Sequence, residues 1–323
     1  MARISASEVK RVITALRDRR ERGHIQANRE LSAQIDSSQR KAGKRLQSLL
    51  AETGLDVKKL EPVLNEHQRE LRRILEKRPT PSSKSASAGT RATVRKAIDA
   101  RVKTLELANT VQPHAASTFV VLDAPFLVFA NPSNWLFDSH VSRKESFAKV
   151  RFQEKLEPPH IIPKVHDVTF VYVWENPSEH FALVNVETYV VLKGFCLTSV
   201  QPRIAQFLGA HSRLSVHAGL TLLEWWNQPP TTPLFQKSQE VEALGLHAYA
   251  PFLSGDTEDQ NLFDGYDLKY SLFAVPPKGV AVFYVNMFTK QTTDGHAFYI
   301  VDFLAKDSLV LCPYVQLEVL TAP

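Results

Sequence analysis

The sequence predicts a segregated α+β protein, in which an amino-terminal helical or coiled-coil region is followed by an antiparallel β-sandwich of jelly-roll type. Three observations predict it. Residues 1–118 contain no Phe, Tyr or Trp, so all 18 Phe, 8 Tyr and 4 Trp fall from Phe119 onward. The charge divides at nearly the same place, with 25 Lys and Arg against 13 Asp and Glu up to Thr110, and 14 against 21 beyond it. The apolar period also changes, from about 3.6 before the break to 2 after it.

The first part, residues 1–112, is read as a basic helical region with helices over 5–52, 56–78 and 91–109. Ser5 and Glu8 have the spacing of a capping box, and Val9, Val12, Ile13 and Leu16 follow on one helical face. Thr53-Gly54 signals a stop and Asp56 a new cap. Val57, Leu64 and Leu71 then form one seam, with Leu60, His67 and Ile74 in the other. Pro79 and Pro81 end this helix, and the small polar run Ser82–Thr90 reads as a flexible joint over 79–90. Val94, Ile98, Val102 and Leu105 mark the last helix. Such narrow stripes bury little within one chain, so self-association through these helices is expected.

The basic clusters Arg17, Arg19, Arg20 and Arg22, and Arg40, Lys41, Lys44 and Arg45, are candidate contacts for an anionic partner. Solvated helix faces, or docking to an acidic protein surface such as the chain's own second part, are favoured over nucleic acid, and a nucleic-acid-associated protein is the third functional reading. No aromatic interleaves these charges to stack bases, and no zinc finger, basic zipper or helix-turn-helix pattern is present.

Residues 113–323 are read as the β-sandwich. Leu214, Val216, Ala218, Leu220 and Leu222 alternate with Arg213, Ser215, His217, Gly219 and Thr221, one buried face against one wet face. Val184–Leu192 and Leu309–Val319 repeat the alternation. Shorter candidates lie at Thr118–Leu122, Phe126–Phe129, Ala148–Phe152, Val168–Trp174, Leu268–Ala274, Val280–Phe288 and Phe298–Phe303, separated by Asn-Pro, Pro-Pro and Asp-Gly turn signals. Many strands without intervening helices require antiparallel pairing. The two cysteines, Cys196 and Cys312, fall in strand-like stretches and are expected to be buried thiols.

No nucleophile elbow, phosphate loop, zincin or Cys-x-x-Cys signature occurs, so no catalytic residue, metal ligand or cofactor is assigned. The first functional reading is a non-enzymatic structural or binding protein, a helical stalk carrying a sandwich head. Its layout resembles that of trimeric fibres and receptor-binding appendages at the level of architecture only. Trp225, Asn227 and Gln228, which close the strongest strand, are the candidate ligand-binding residues for a carbohydrate or a protein. The runner-up is a metal-assisted hydrolase using loop histidines, with His160, His166 and His180 as one group and His211 and His217 as another. Ser254–Asn261 with Asp264 reads as an acidic surface loop, without the spacing of a calcium loop. Asp138-Ser139-His140 near Asp123 is a poor hydrolytic pair, because adjacent side chains diverge on a strand. With no secretory leader and no apolar run long enough for a membrane helix, a cytoplasmic location is the default expectation.

Overall fold

A computed structural model describes residues 117–131, 141–157, 160–201, 209–225, 235–251, 255–305 and 307–321. All regular structure among the described residues is β. The α+β expectation is thereby corrected. It rested on the 3.6 period of residues 1–112, and the helices expected there, with both basic clusters, lie outside the described residues. No helix among the described residues is long and apolar enough to cross a membrane.

Fourteen strands are described: β1 (Ser117–Leu122), β2 (Leu127–Asn131), β3 (Val141–Ser142), β4 (Phe147–Ala148), β5 (Arg151–Leu156), β6 (His160–Glu175), β7 (Ala182–Gln201), β8 (Ala210–Trp225), β9 (Phe235–Ala250), β10 (Asp256–Val275), β11 (Val280–Thr293), β12 (His296–Asp302), β13 (Leu309–Leu311) and β14 (Val315–Thr321). They form two sheets. The smaller has the order β2-β6-β11-β8-β9. In the larger, β7 pairs with β10 along one edge and with β12, β13 and β14 in succession along the other. Outside these lie β5 on β12, β4 on β13 and β1 on β14.

All pairings are antiparallel, and every connection from β5 to β12 except the β8–β9 hairpin passes between the sheets, so that β5-β12-β7-β10 and β6-β11-β8-β9 form the two layers around a shared core. This is the strand order of a jelly roll.

Alternation explains the packing. Ala281, Phe283, Val285 and Met287 of β11 point inward with Leu214, Val216, Ala218, Leu220 and Leu222 of β8 and Phe170, Tyr172 and Trp174 of β6. Against them stand Val184, Val186, Val190 and Leu192 of β7 and Val315, Leu317 and Val319 of β14. Each fully buried aromatic contributes about 1.5–3 kcal/mol, which is why the aromatic residues concentrate in this part of the chain. Gly194 is required for this packing, because a Cβ there would stand 2.6 Å from both the Asp302 carbonyl and the Phe303 ring.

The sequence pattern underestimates the strands around residue 250. The stretch expected to be an acidic loop forms the first half of β10, and β9 has no counterpart among the expected strands. The signal for β9 was present in Leu244, Leu246, Ala248 and Ala250, all buried at period 2. Small alanines weaken it. The acids of β10 serve its neighbour: Asp256 accepts from the Tyr249 amide at 2.7 Å, and Glu258 accepts from the His247 amide. Gln239 accepts from the Lys269 amide at 2.8 Å, and the Tyr266 hydroxyl donates to the Ala243 carbonyl at 3.3 Å. These bonds stitch the edge of one sheet to the edge of the other.

Candidate functional site

The histidines expected to cluster in loops are dispersed over strands. His160 and His166 both lie in β6, in register with Thr293 and Thr289 of β11. His180 lies beyond the far end of that strand, where its carbonyl accepts from Asn176 and Ser178. Among the described residues no group of three His, Cys, Asp or Glu could hold a metal ion. His211 and His217 share a face of β8 but have different neighbours. His211 Nδ1 lies 3.0 Å from His247 Nε2.

His166 points between the sheets and is 3 % exposed. Its Nδ1 is 3.0 Å from the Tyr299 hydroxyl, which donates to Glu154 Oε2 at 2.8 Å. Nε2 lies 3.4 Å from the same carboxylate, and Lys164 pairs with the other carboxylate oxygen. The ring also stacks on Phe152, with centroids 5.5 Å apart. Burial lowers the imidazole pKa to about 4, against the opposing pull of Glu154, so the ring is neutral at pH 7. The same burial, with the Glu154 charge, raises the Tyr299 phenol far above its usual range. Gln291 lies in the same cluster, its Nε2 donating to Thr289 Oγ1 at 2.5 Å.

The outer face of the smaller sheet is different. Register places its side chains in rows across β6, β11, β8 and β9. One row reads Asp167, Phe288, His217, Glu242; the next Thr169, Asn286, Gly219, Glu240; and on the other side Lys290 stands beside Ser215. Toward the other end the face turns apolar, with Val171, Val282 and Leu223 buried beside Phe129 and Tyr284. The polar half is therefore a local departure on a sheet whose outer face is elsewhere greasy.

His217 is the centre of this half. Its ring lies flat against Phe288, with centroids 5.0 Å apart and planes 9° apart, and Nε2 is 2.8 Å from Ser215 Oγ. Nδ1 is buried and has no hydrogen-bond partner, and the residue as a whole is 5 % exposed. Burial lowers its pKa, helped by the Lys290 charge, so the ring is held neutral. Lys290 reaches over Phe288, 5.3 Å from the ring centroid, and bonds Glu240 at 2.8 Å. That bond holds the Glu240 carboxyl below its ordinary range. Gly219 makes room for the next row, since a Cβ there would stand 2.5 Å from Asn286 Oδ1. Ser215, Thr221 and Lys290 are half-buried and Glu240 and Glu242 exposed, so the floor at His217 borders solvent.

Trp225, the first of the expected ligand-binding residues, closes β8 in register with Val280. Asn227 and Gln228 lie outside the described residues, as does Asp138-Ser139-His140. Cys196 and Cys312 are buried free thiols, pushed by burial to about 12 and about 11. His217 and Ser215 were legible only as the wet phase of their strand; Phe288 and Asn286 came from another strand, and nothing in one strand's pattern announces a neighbour.

No family model matches the chain, and no curated protein matches it. Solved structures with some likeness include TmCBM61 in complex with β-1,4-galactotriose, at 12 % identity and a TM-score of 0.17, covering 60 % of this chain and 86 % of that one. Another comes from carbohydrate-binding modules of the β-sandwich superfamily, at 9 % identity and a TM-score of 0.19, covering 62 % of this chain and 58 % of that one. A third is the enzymatically active domain of tailspike protein 4 of bacteriophage CBA120, at 11 % identity and a TM-score of 0.19, covering 63 % of this chain and 20 % of that one. TM-scores of this size carry no argument about ligand or activity.

Proposed function

We propose that the sandwich is a binding module whose outer five-stranded face holds a neutral, hydroxyl-rich ligand of the carbohydrate type. The observation that carries this is the buried, unpartnered Nδ1 of a neutral His217 at the floor of a polar row. A polar atom left in that state costs about 1–3 kcal/mol. A ligand that supplies its partner recovers the cost. The tautomer is open, so Nδ1 either donates or accepts, and a hydroxyl group does both.

The surroundings fit the same chemistry. Lys290 is already neutralised by Glu240, and the exposed Glu242 beside His217 disfavours anions. Phe288 and Asn286 add an apolar ring and an amide to the same rows.

The test is calorimetric titration of the full chain, and of its His217→Phe variant, with a panel of neutral, acidic and basic oligosaccharides. A neutral glycan bound by the parent and weakened about tenfold in the variant, the loss of one hydrogen bond, is the expected result. Binding unchanged by the substitution would move the site elsewhere on the molecule.

A further inference from the structure

We infer that His211 and His247 form a two-imidazole site for a first-row divalent metal ion, which clips β8 to β9. His211 Nδ1 and His247 Nε2 lie 3.0 Å apart, and the rings are 16° from parallel with centroids 5.2 Å apart. Two imidazole nitrogens that each stand about 2.0–2.1 Å from one ion, in neighbouring coordination positions, are themselves separated by about 2.9–3.4 Å. The strands have therefore already brought two donors to the spacing that an ion needs. Sequence spacing alone pairs His211 with His217, but six residues of strand put those two about 20 Å apart. The partner comes instead from the neighbouring strand, where His211 stands opposite Tyr249 and His247 opposite Arg213 on one outer face.

The backbone of each histidine is anchored. Asp294 Oδ1 accepts from the His211 amide at 2.6 Å, while the His211 carbonyl accepts from the Asp294 amide at 3.2 Å and the Thr293 hydroxyl at 3.0 Å. Glu258 accepts from the His247 amide. The Tyr249 ring leans on His211, with centroids 4.7 Å apart, in space that Gly209 leaves open: a Cβ there would stand 2.8 Å from Tyr249 Cε2. Such outer contacts orient ligands before an ion arrives. The imidazoles themselves are exposed, so both can turn their lone pairs toward a common ion without disturbing the core. Without an ion, one of the facing nitrogens donates its N–H to the other. Binding switches that ring to its other tautomer, the proton moving to the second ring nitrogen.

The donor set selects the ion. Imidazole suits zinc, copper and nickel, whereas calcium and magnesium take oxygen ligands. The carboxylates at this corner, Asp256, Glu258 and Asp294, accept from the amides of Tyr249, His247 and His211, so the protein supplies two nitrogens and water completes the coordination. The exposed Arg213 opposite His247 adds a positive charge that works against any cation held by charge alone.

The test is calorimetric titration of the metal-stripped, untagged full chain with zinc and with nickel chloride, beside its His211→Gln and His247→Gln variants. His180→Gln, at an exposed histidine elsewhere, is the control. A site bound equally by the parent and the control, and weakened at least about tenfold in each of the other two variants, is the expected result. Zinc should also raise the thermal unfolding midpoint of the parent but not of either variant, because an ion that joins two strands binds the folded chain. No binding, or binding unchanged in both His211→Gln and His247→Gln, would overturn the proposal and leave an adventitious ion only.

Discussion

His166 and His217 are both buried on long strands, both held neutral by burial, and both stacked on a phenylalanine, yet they stand in opposite situations. His166 lies between the sheets, where Tyr299 and Glu154 approach its two nitrogens. His217 lies on the outside of one sheet with one nitrogen served by Ser215 and the other by nothing. A buried histidine whose nitrogens both lie against polar groups of the core belongs to the scaffold. One left incomplete weakens the fold slightly, and in the proposed binding site a ligand would recover that difference.

The comparison is broken most directly by making the same substitution twice. His166→Phe removes one of the two partners of the Tyr299 hydroxyl, leaving Glu154, and crowds the space beside Phe152, so a loss of about 3 kcal/mol in urea unfolding is expected. His217→Phe, in contrast, removes an unpaired atom and leaves a half-buried serine that water can reach. Its stability should equal or slightly exceed that of the parent. Equal losses at the two positions would mean that both histidines are structural.

Acid sharpens the same contrast. Because the His166 pKa falls from 6.5 unfolded to about 4 folded, the unfolded chain binds the extra proton between those values. Stability is therefore expected to fall as the pH is lowered from 6.5 toward 4, by at most about 3 kcal/mol. Unfolding free energies measured across that window should lose most of this slope in His166→Phe. His217 shifts in the same direction, so His217→Phe should remove a smaller part of it.

The smallest effect concerns the stitched edge. Asp256→Ala or Glu258→Ala should each cost about 1 kcal/mol and speed exchange at the Tyr249 or His247 amide. An unchanged exchange rate would show that these edges are closed by burial alone.

Much of the sandwich is legible in the sequence because a strand's period is local: the alternation in β8 and in Val184–Leu192 of β7 shows which residues go inward without reference to any neighbour. The limits are equally physical. β9 is obscured because alanine at positions 248 and 250 buries as completely as leucine while contributing little apolar contrast. Acids at the start of β10 resemble a solvated loop until the β9 amides that they accept from are known. Trp225 drew attention as an aromatic at a strand end, whereas the polar row formed where Phe288, Asn286 and Thr169 arrive from β11 and β6.

The sequence by itself determined that the part after Phe119 is built from strands, which faces of the clearest strands are buried, and that the cysteines are buried. Tertiary structure alone decided the jelly-roll order, the pairing of Phe288 with His217, the enclosure of His166 and the meeting of His211 with His247. The physical reason is that periodicity is set by bonds along one chain segment, whereas register and partnership are set by hydrogen bonds between segments many residues removed from each other.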